Sequence, residues 1–180
     1  MEFGVGLTCM SFSKKGFIVR TNNGYYAYQS GHLVARQLEN IYVTSILHGT
    51  QDIIWIGTDG KGVYQYYQDE SFAKSYEIGD KNLPVRAICL FGNNMLIGTK
   101  GEGLLVFDVN ENRPIQHINT INVGNGRAYN AVFSLCPSRD GRIWVGADVD
   151  GLGYYKDGQL LRMDYTRAAD AAVTSSIYSI

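Results

Sequence analysis

Short apolar runs broken by glycine-rich polar turns fill this chain, and one such unit recurs. Residues 53–67 read IIWIGTDGKGVYQYY: an apolar run closing on Gly-Thr, a tight polar turn, then glycine and a second run rich in tyrosine. Residues 94–108 read NMLIGTKGEGLLVFD and residues 142–156 read RIWVGADVDGLGYYK, while residues 16–29, GFIVRTNNGYYAYQ, give the same unit one residue shorter. A short unit in four copies defines a repeat architecture, each copy being one element that cannot bury its apolar face alone. From Gly57 to Gly98 is 41 residues, from Gly98 to Gly146 is 48, and from Thr21 to Thr58 is 37, lengths that suit four strands and their turns.

Each unit therefore predicts one four-stranded antiparallel sheet. First strands fall in LTCMSFS (7–13), VTSILHG (43–49), VRAICLF (85–91) and NAVFSLC (130–136), mixed apolar and β-branched runs of the kind a buried strand requires. The Gly-Thr run is the second strand. The third begins at the glycine after the turn, in GYYAY, GVYQY, GLLVF and GLGYY, and the fourth is more polar and variable: HLVARQL, FAKSYEI, IQHINTI and QLLRMD. Counting from the leading glycine of the third strand, an apolar or aromatic residue comes next (Tyr25, Val63, Leu104, Leu152) and an aromatic stands four places on (Tyr28, Tyr66, Phe107, Tyr155). Side chains alternate faces along a strand, so these two columns lie on opposite sides of the sheet and both sides are packed. Sheets that bury both faces and follow one another in sequence pack on copies of themselves, and radial stacking of such sheets is the β-propeller.

The expected fold is all-β: a propeller segment of about four blades, at 4–38, 43–78, 85–121 and 129–164, within a single unit spanning 1–180. The closing stretch VTSSIYSI (173–180) repeats the first-strand pattern of 43–49 and reads as the first strand of a fifth blade, so a partial ring is expected. A four-bladed ring with that strand as a closing clasp is the alternative. Open first and last blades expose apolar surface, and self-association is expected from them.

Composition narrows the function classes. The 21 glycines and 13 tyrosines against 3 prolines suit turns and aromatic strands and leave little for helices. A formal net charge of -1, from 16 basic and 17 acidic side chains scattered along the chain, gives no footprint for nucleic acid. No window has the apolar length of a membrane span, so no direct membrane contact is expected. Cys9, Cys89 and Cys136 each precede a Gly-Thr-type run and read as small core hydrophobes.

Catalytic and cofactor chemistry finds no foothold. The glycine turns GKG and GEG are followed by a strand, whereas phosphate-binding loops lead into a helix whose N-terminus faces the phosphate. Asp148-Val149-Asp150-Gly151 resembles the start of a calcium loop, but the distal bidentate glutamate is missing and strand sequence follows, so a turn stiffened by aspartate is expected and no metal. His32, His48 and His117 lie at unrelated strand positions with no nucleophile motif beside them. No enzyme activity, catalytic residue or cofactor is expected, although a carboxylate pair drawn from distant loops would revive a glycosidase or lyase reading.

The units resemble the two-component regulator propeller repeat. The matching residues are Trp55-Ile56-Gly57-Thr58 with Gly62 and Tyr66, Leu96-Ile97-Gly98-Thr99 with Gly103-Leu104 and Phe107, and Gly141-Arg142-Ile143-Trp144-Val145-Gly146 with Gly151-Leu152 and Tyr155. The first copy departs most, with Arg20 in place of the glycine and Ile18 in place of tryptophan, and in the fourth Ala147 replaces threonine. The resemblance implies a segment of the periplasmic sensor region of a Bacteroides-type hybrid two-component histidine kinase, with an oligosaccharide as the default ligand. It equally allows scaffold blades that space or dimerise a receptor without touching ligand, packing on other blades of the parent protein.

In a propeller the turns between second and third strands and the connections from fourth to first strands share one rim, where binding groups collect on loops held by a rigid scaffold. The ligand-binding candidates there are Asp59, Lys61, Asn82, Arg86, Arg127, Tyr129, Asp148 and Asp150, with Lys100 and Glu102 beside them. Each is also an ordinary solvated turn residue, and only clustering into one concavity separates the two readings.

Overall fold

A computed structural model describes residues 7–12, 16–49, 53–67, 71–78, 83–119, 130–148 and 151–163. The chain divides into two compact units, residues 1–85 and 86–180. The first holds two sheets, β1 (Leu7–Phe12), β2 (Gly16–Thr21), β3 (Gly24–Gln29) and β4 (His32–Gln37), then β5 (Val43–His48), β6 (Ile53–Thr58), β7 (Val63–Tyr67) and β8 (Phe72–Tyr76). The second holds β9 (Val85–Phe91), β10 (Asn94–Thr99), β11 (Leu104–Asp108) and β12 (Arg113–Ile118), then β13 (Val132–Pro137), β14 (Ile143–Ala147), β15 (Gly151–Lys156) and β16 (Gln159–Arg162). Every sheet is a four-stranded meander with its strands in sequence order, and the strands pair antiparallel among the described residues. The expected all-β class and four-stranded units are thus what the chain forms. The stretch 173–180, read as the start of a further blade, lies outside the described residues.

Within each unit, one sheet packs its following face on the leading face of the next, and the two columns of the third strand make the contact. In the first unit Ile18, Tyr25 and Ala27 from the first sheet cluster with Val43, Ile54, Ile56 and Tyr66 from the second, all buried. Tyr25 meets Tyr66 edge to face, ring centroids 5.7 Å apart. In the second unit Cys89, Leu96, Leu104, Val106 and Ile118 cluster with Val132, Ile143, Val145, Ala147, Tyr155 and Leu160. The residue just after the leading glycine therefore faces the following sheet, and the aromatic four places on faces the preceding one, in both units. Complete burial of each such side chain stabilises by about 1.5–3 kcal/mol.

The glycine of the Gly-Thr run is required by this packing. A Cβ on Gly98 would come within 2.7 Å of Val132 Cγ1 and 2.8 Å of the Val132 carbonyl oxygen, so the sheets approach too closely for any side chain there. The threonine that follows holds the turn. Thr99 Oγ1 donates to the Gly103 carbonyl at 2.9 Å and accepts from the Glu102 N–H at 3.1 Å. Thr58 does the same with Gly62 at 2.7 Å and Lys61 at 3.1 Å, and Thr21 with Gly24 and Asn23, both at 3.0 Å. All three threonines are fully buried, and the hydroxyl closes on itself the polar end that the strand pair would otherwise bury unsatisfied.

Irregularities recur in register as well. An extra residue interrupts the first strand between Leu7 and Cys9, between Val43 and Ser45, and between Val132 and Ser134. A second interruption falls just before the aromatic of the third strand, between Ala27 and Tyr28, Gln65 and Tyr66, and Val106 and Phe107. There the outer strand carries the additional residue, Val34 opposite the first break and Ile115 opposite the last, and both side chains stand exposed. Bulges of this kind bend a strand and increase its twist.

Candidate functional site

The turns between second and third strands come together with the connections that lead into first strands, as a shared rim requires. In the first unit the Asp59 N–H donates to the Tyr42 carbonyl at 2.9 Å, and Asp59 forms a backbone bridge with Pro84. Asp59 and Lys61 stand exposed on either side of Gly60, in a turn whose backbone is fixed by the Thr58 hydroxyl. Tyr42, beside them, is exposed and was reachable from the sequence by the same connection rule that singled out Asn82 and Tyr129.

In the second unit the convergence is tighter. The Asn130 carbonyl accepts from the N–H of Gly101 at 2.7 Å and of Gly103 at 2.9 Å. Ala131 pairs with Lys100 in a backbone bridge, and its carbonyl accepts from the Asp148 N–H at 2.9 Å. Lys100, Glu102 and Asp148 are thereby gathered around one two-residue segment, Asn130-Ala131. His117 of β12 joins them: its Nε2 lies 2.5 Å from the Glu102 carbonyl oxygen and 3.7 Å from a Glu102 carboxylate oxygen. No sequence pattern marked His117, because its place depends on the register that brings β12 beside β11, with His117 opposite Leu105.

Arg86 differs from the other candidates in position. It is the second residue of β9, half-buried within a strand, and belongs to the sheet and not to a turn. Asn82, Arg127, Tyr129 and Asp150 lie outside the described residues.

The electrostatics of the turns are mixed. Asp59 precedes Lys61 in one and Lys100 precedes Glu102 in the next, each pairing opposite signs, whereas the sequence after β14 carries two aspartates, Asp148 and Asp150. Among the described residues no group of three His, Cys, Asp or Glu side chains is placed to hold a metal ion. Cys89 is buried in the core of its unit, and that burial, with the nearby Cys136 adding to it, pushes the thiol up to about 11, the opposite of what a nucleophile needs. His48 has both ring nitrogens buried without a hydrogen-bond partner, and burial holds its pKa below the usual imidazole value, so the ring is neutral at pH 7. These groups pack. The chemistry the rim offers is hydrogen bonding from exposed donors and acceptors on a rigid backbone.

Comparison with known proteins places the repeat. Residues 126–148 match the family model described as two component regulator propeller. The extracellular domain of a putative hybrid two component system from B. thetaiotaomicron superposes with a TM-score of 0.74 at 24% identity, over 89% of this chain and 22% of that one. A second such extracellular domain from B. thetaiotaomicron gives 0.69 at 16% identity, over 95% of this chain and 23% of that one. The computationally designed Ika4 protein gives 0.67 at 15% identity, over 86% of this chain and 92% of that one. The chain thus spans less than a quarter of the length of the two-component domains it resembles. No curated protein sequence matches it. Four antiparallel meanders, packed in pairs through one repeated set of columns, make this chain a β-propeller segment, within which residues 126–148 match the two component regulator propeller model.

Proposed function

We propose that the chain is a non-catalytic, ligand-sensing segment of the periplasmic region of a two-component signalling receptor, and that the ligand is an oligosaccharide. The observation that carries this reading is the cluster of Lys100, Glu102, Asp148 and His117 around Asn130-Ala131, lying within and beside the stretch that matches the regulator repeat. Donors and acceptors of both signs on a fixed backbone suit a neutral, polyhydroxylated ligand, which takes several directional hydrogen bonds and carries no net charge to neutralise. The likeness to extracellular domains of two-component systems supports the signalling context and the compartment.

A thermal-shift screen of the 180-residue chain against oligosaccharides of defined composition tests this. A ligand that binds only the folded state raises the midpoint in proportion to the logarithm of its concentration over Kd. One glycan class is expected to shift the midpoint, and the paired change Lys100→Ala with Glu102→Ala is expected to abolish the shift while leaving the unliganded midpoint close to that of the parent. A chain that no glycan stabilises would favour the second reading, blades that act as a scaffold. That reading draws its support from the columns of the repeat, in which Tyr25, Tyr66, Leu104 and Tyr155 are taken up by packing between sheets.

A further inference from the structure

His48 closes β5 at the hairpin end of the second sheet, where the Gly49 N–H donates to the Ile53 carbonyl at 2.8 Å. It pairs with Ile54, as Ile46 two places before it pairs with Ile56, and side chains directly opposite in an antiparallel pair share a face. Ile54 and Ile56 are buried against Ile18, Tyr25 and Ala27 of the first sheet, with Ile46 packed beside them. His48 therefore lies at the end of the row through which the second sheet meets the first. Both its ring nitrogens are buried, and neither has a hydrogen-bond partner in the protein.

Among the side chains described on the two facing rows, none is a carboxylate. On the second sheet Tyr66 and Tyr64 continue the row from Ile54 and Ile56. On the first, Arg20 stands opposite Tyr25, and His32 stands opposite Gln29, two places beyond Ala27. With Tyr25 these are three phenols, an imidazole and a guanidinium. Glu39 and Asp59 belong to connections at the far end of the strands, before Val43 and after Thr58, and Asp52 lies outside the described residues. An imidazolium at position 48 would meet an apolar cluster and, on these rows, charge only of its own sign.

We infer that His48 is an acid-sensitive latch between the first two sheets: the neutral ring packs at the end of their shared row, and a proton on it forces charge into that contact and opens it. Burying a charge that has no partner is strongly unfavourable. Burial holds the imidazole below its ordinary value, so the unfolded chain takes up this proton at a higher pH than the folded one. The stability tied to the neutral ring is therefore complete above about 6.5, the ordinary histidine value, and is lost as pH falls from there through the folded-state value. The device is independent of whether the rim binds a ligand.

Titration of the 180-residue chain from about pH 8 to about pH 5 tests this, with the His48 ring followed by NMR and urea unfolding measured alongside. The ring is expected to titrate below the ordinary histidine value, a readout that needs no variant, and its protonation is expected to coincide with lost amide protection at Ile54 and Ile56. His48→Leu suits the apolar row and cannot titrate. Relative to that variant, the parent's unfolding constant is expected to rise as pH falls below about 6.5, by at most about tenfold per pH unit, the limit for one proton. His32→Gln and Asp52→Asn are expected to keep the parent's acid response. A His48 ring that titrates at or above the ordinary value, an acid loss that His48→Leu shares in full, or a response that disappears in His32→Gln or Asp52→Asn would each overturn the inference.

Discussion

Single residues in this chain are chosen by what the turn and the neighbouring sheet allow. Thr99 is fully buried and its hydroxyl both donates to the Gly103 carbonyl and accepts from the Glu102 N–H. Replacing it with valine keeps the shape and the β-branching that favours a strand, but removes both hydrogen bonds of the buried hydroxyl. Thr99→Val is therefore expected to destabilise by about 1–3 kcal/mol, and Thr99→Ser, which keeps the hydroxyl, by clearly less. Urea unfolding of the two variants decides it, and equal losses would mean that the methyl group, not the hydrogen bonds, is what the site needs. Gly98 shows the other constraint, a close approach to Val132 that no side chain fits. At the corresponding place in the first sheet the chain has Arg20, opposite Tyr25 as Gly98 is opposite Leu104, and its sheet still clusters with the next one.

At the scale of elements, the third strand is what joins sheets. Its first column meets the fourth-place column of the next sheet, seen most directly in the edge-to-face contact of Tyr25 with Tyr66 at 5.7 Å. Such a pair is worth about 0.5–1.5 kcal/mol beyond the area it buries. A double-mutant cycle with Tyr25→Leu and Tyr66→Leu is expected to show a coupling energy of that size, and strict additivity would show that the two rings pack independently. The alternation that predicted this contact was legible because period two puts the two columns on opposite faces without knowledge of any partner. Bulges were not legible, since an extra residue in one strand is defined only against the strand it pairs with. For the same reason the three cysteines looked equivalent in sequence. Cys136 pairs with Trp144, whereas Cys9 pairs with Arg20, which corresponds to Gly146, two places further along the second strand. The rim was legible as a rule about connections, which placed Asp59, Lys61, Lys100, Glu102 and Asp148, whereas Arg86, a rim candidate within the first-strand run 85–91, is the second residue of β9. It could not reach His117, whose approach to Glu102 comes from the pairing of two strands.

For the molecule as a whole, the two units each have a core drawn from their own residues: Leu104 packs with Cys89, Leu96, Val106, Val132, Ile143 and Val145, all within 86–180. Repeat proteins gain stability from neighbouring elements in this local way, so a defect is felt most by the sheets that touch it. Leu104 is completely buried, and truncating such a side chain removes its transfer free energy and leaves a cavity, so Leu104→Ala is expected to cost about 2–5 kcal/mol. The loss has a predicted address. Amide hydrogen exchange should accelerate at Leu96, Val106 and Val145, whose side chains line the same cluster, while Ile54 and Ile56, in the core of the first unit, keep their protection. Equal acceleration in both sets would show that the 180 residues open as one cooperative body, with the division into two cores carrying no energetic weight.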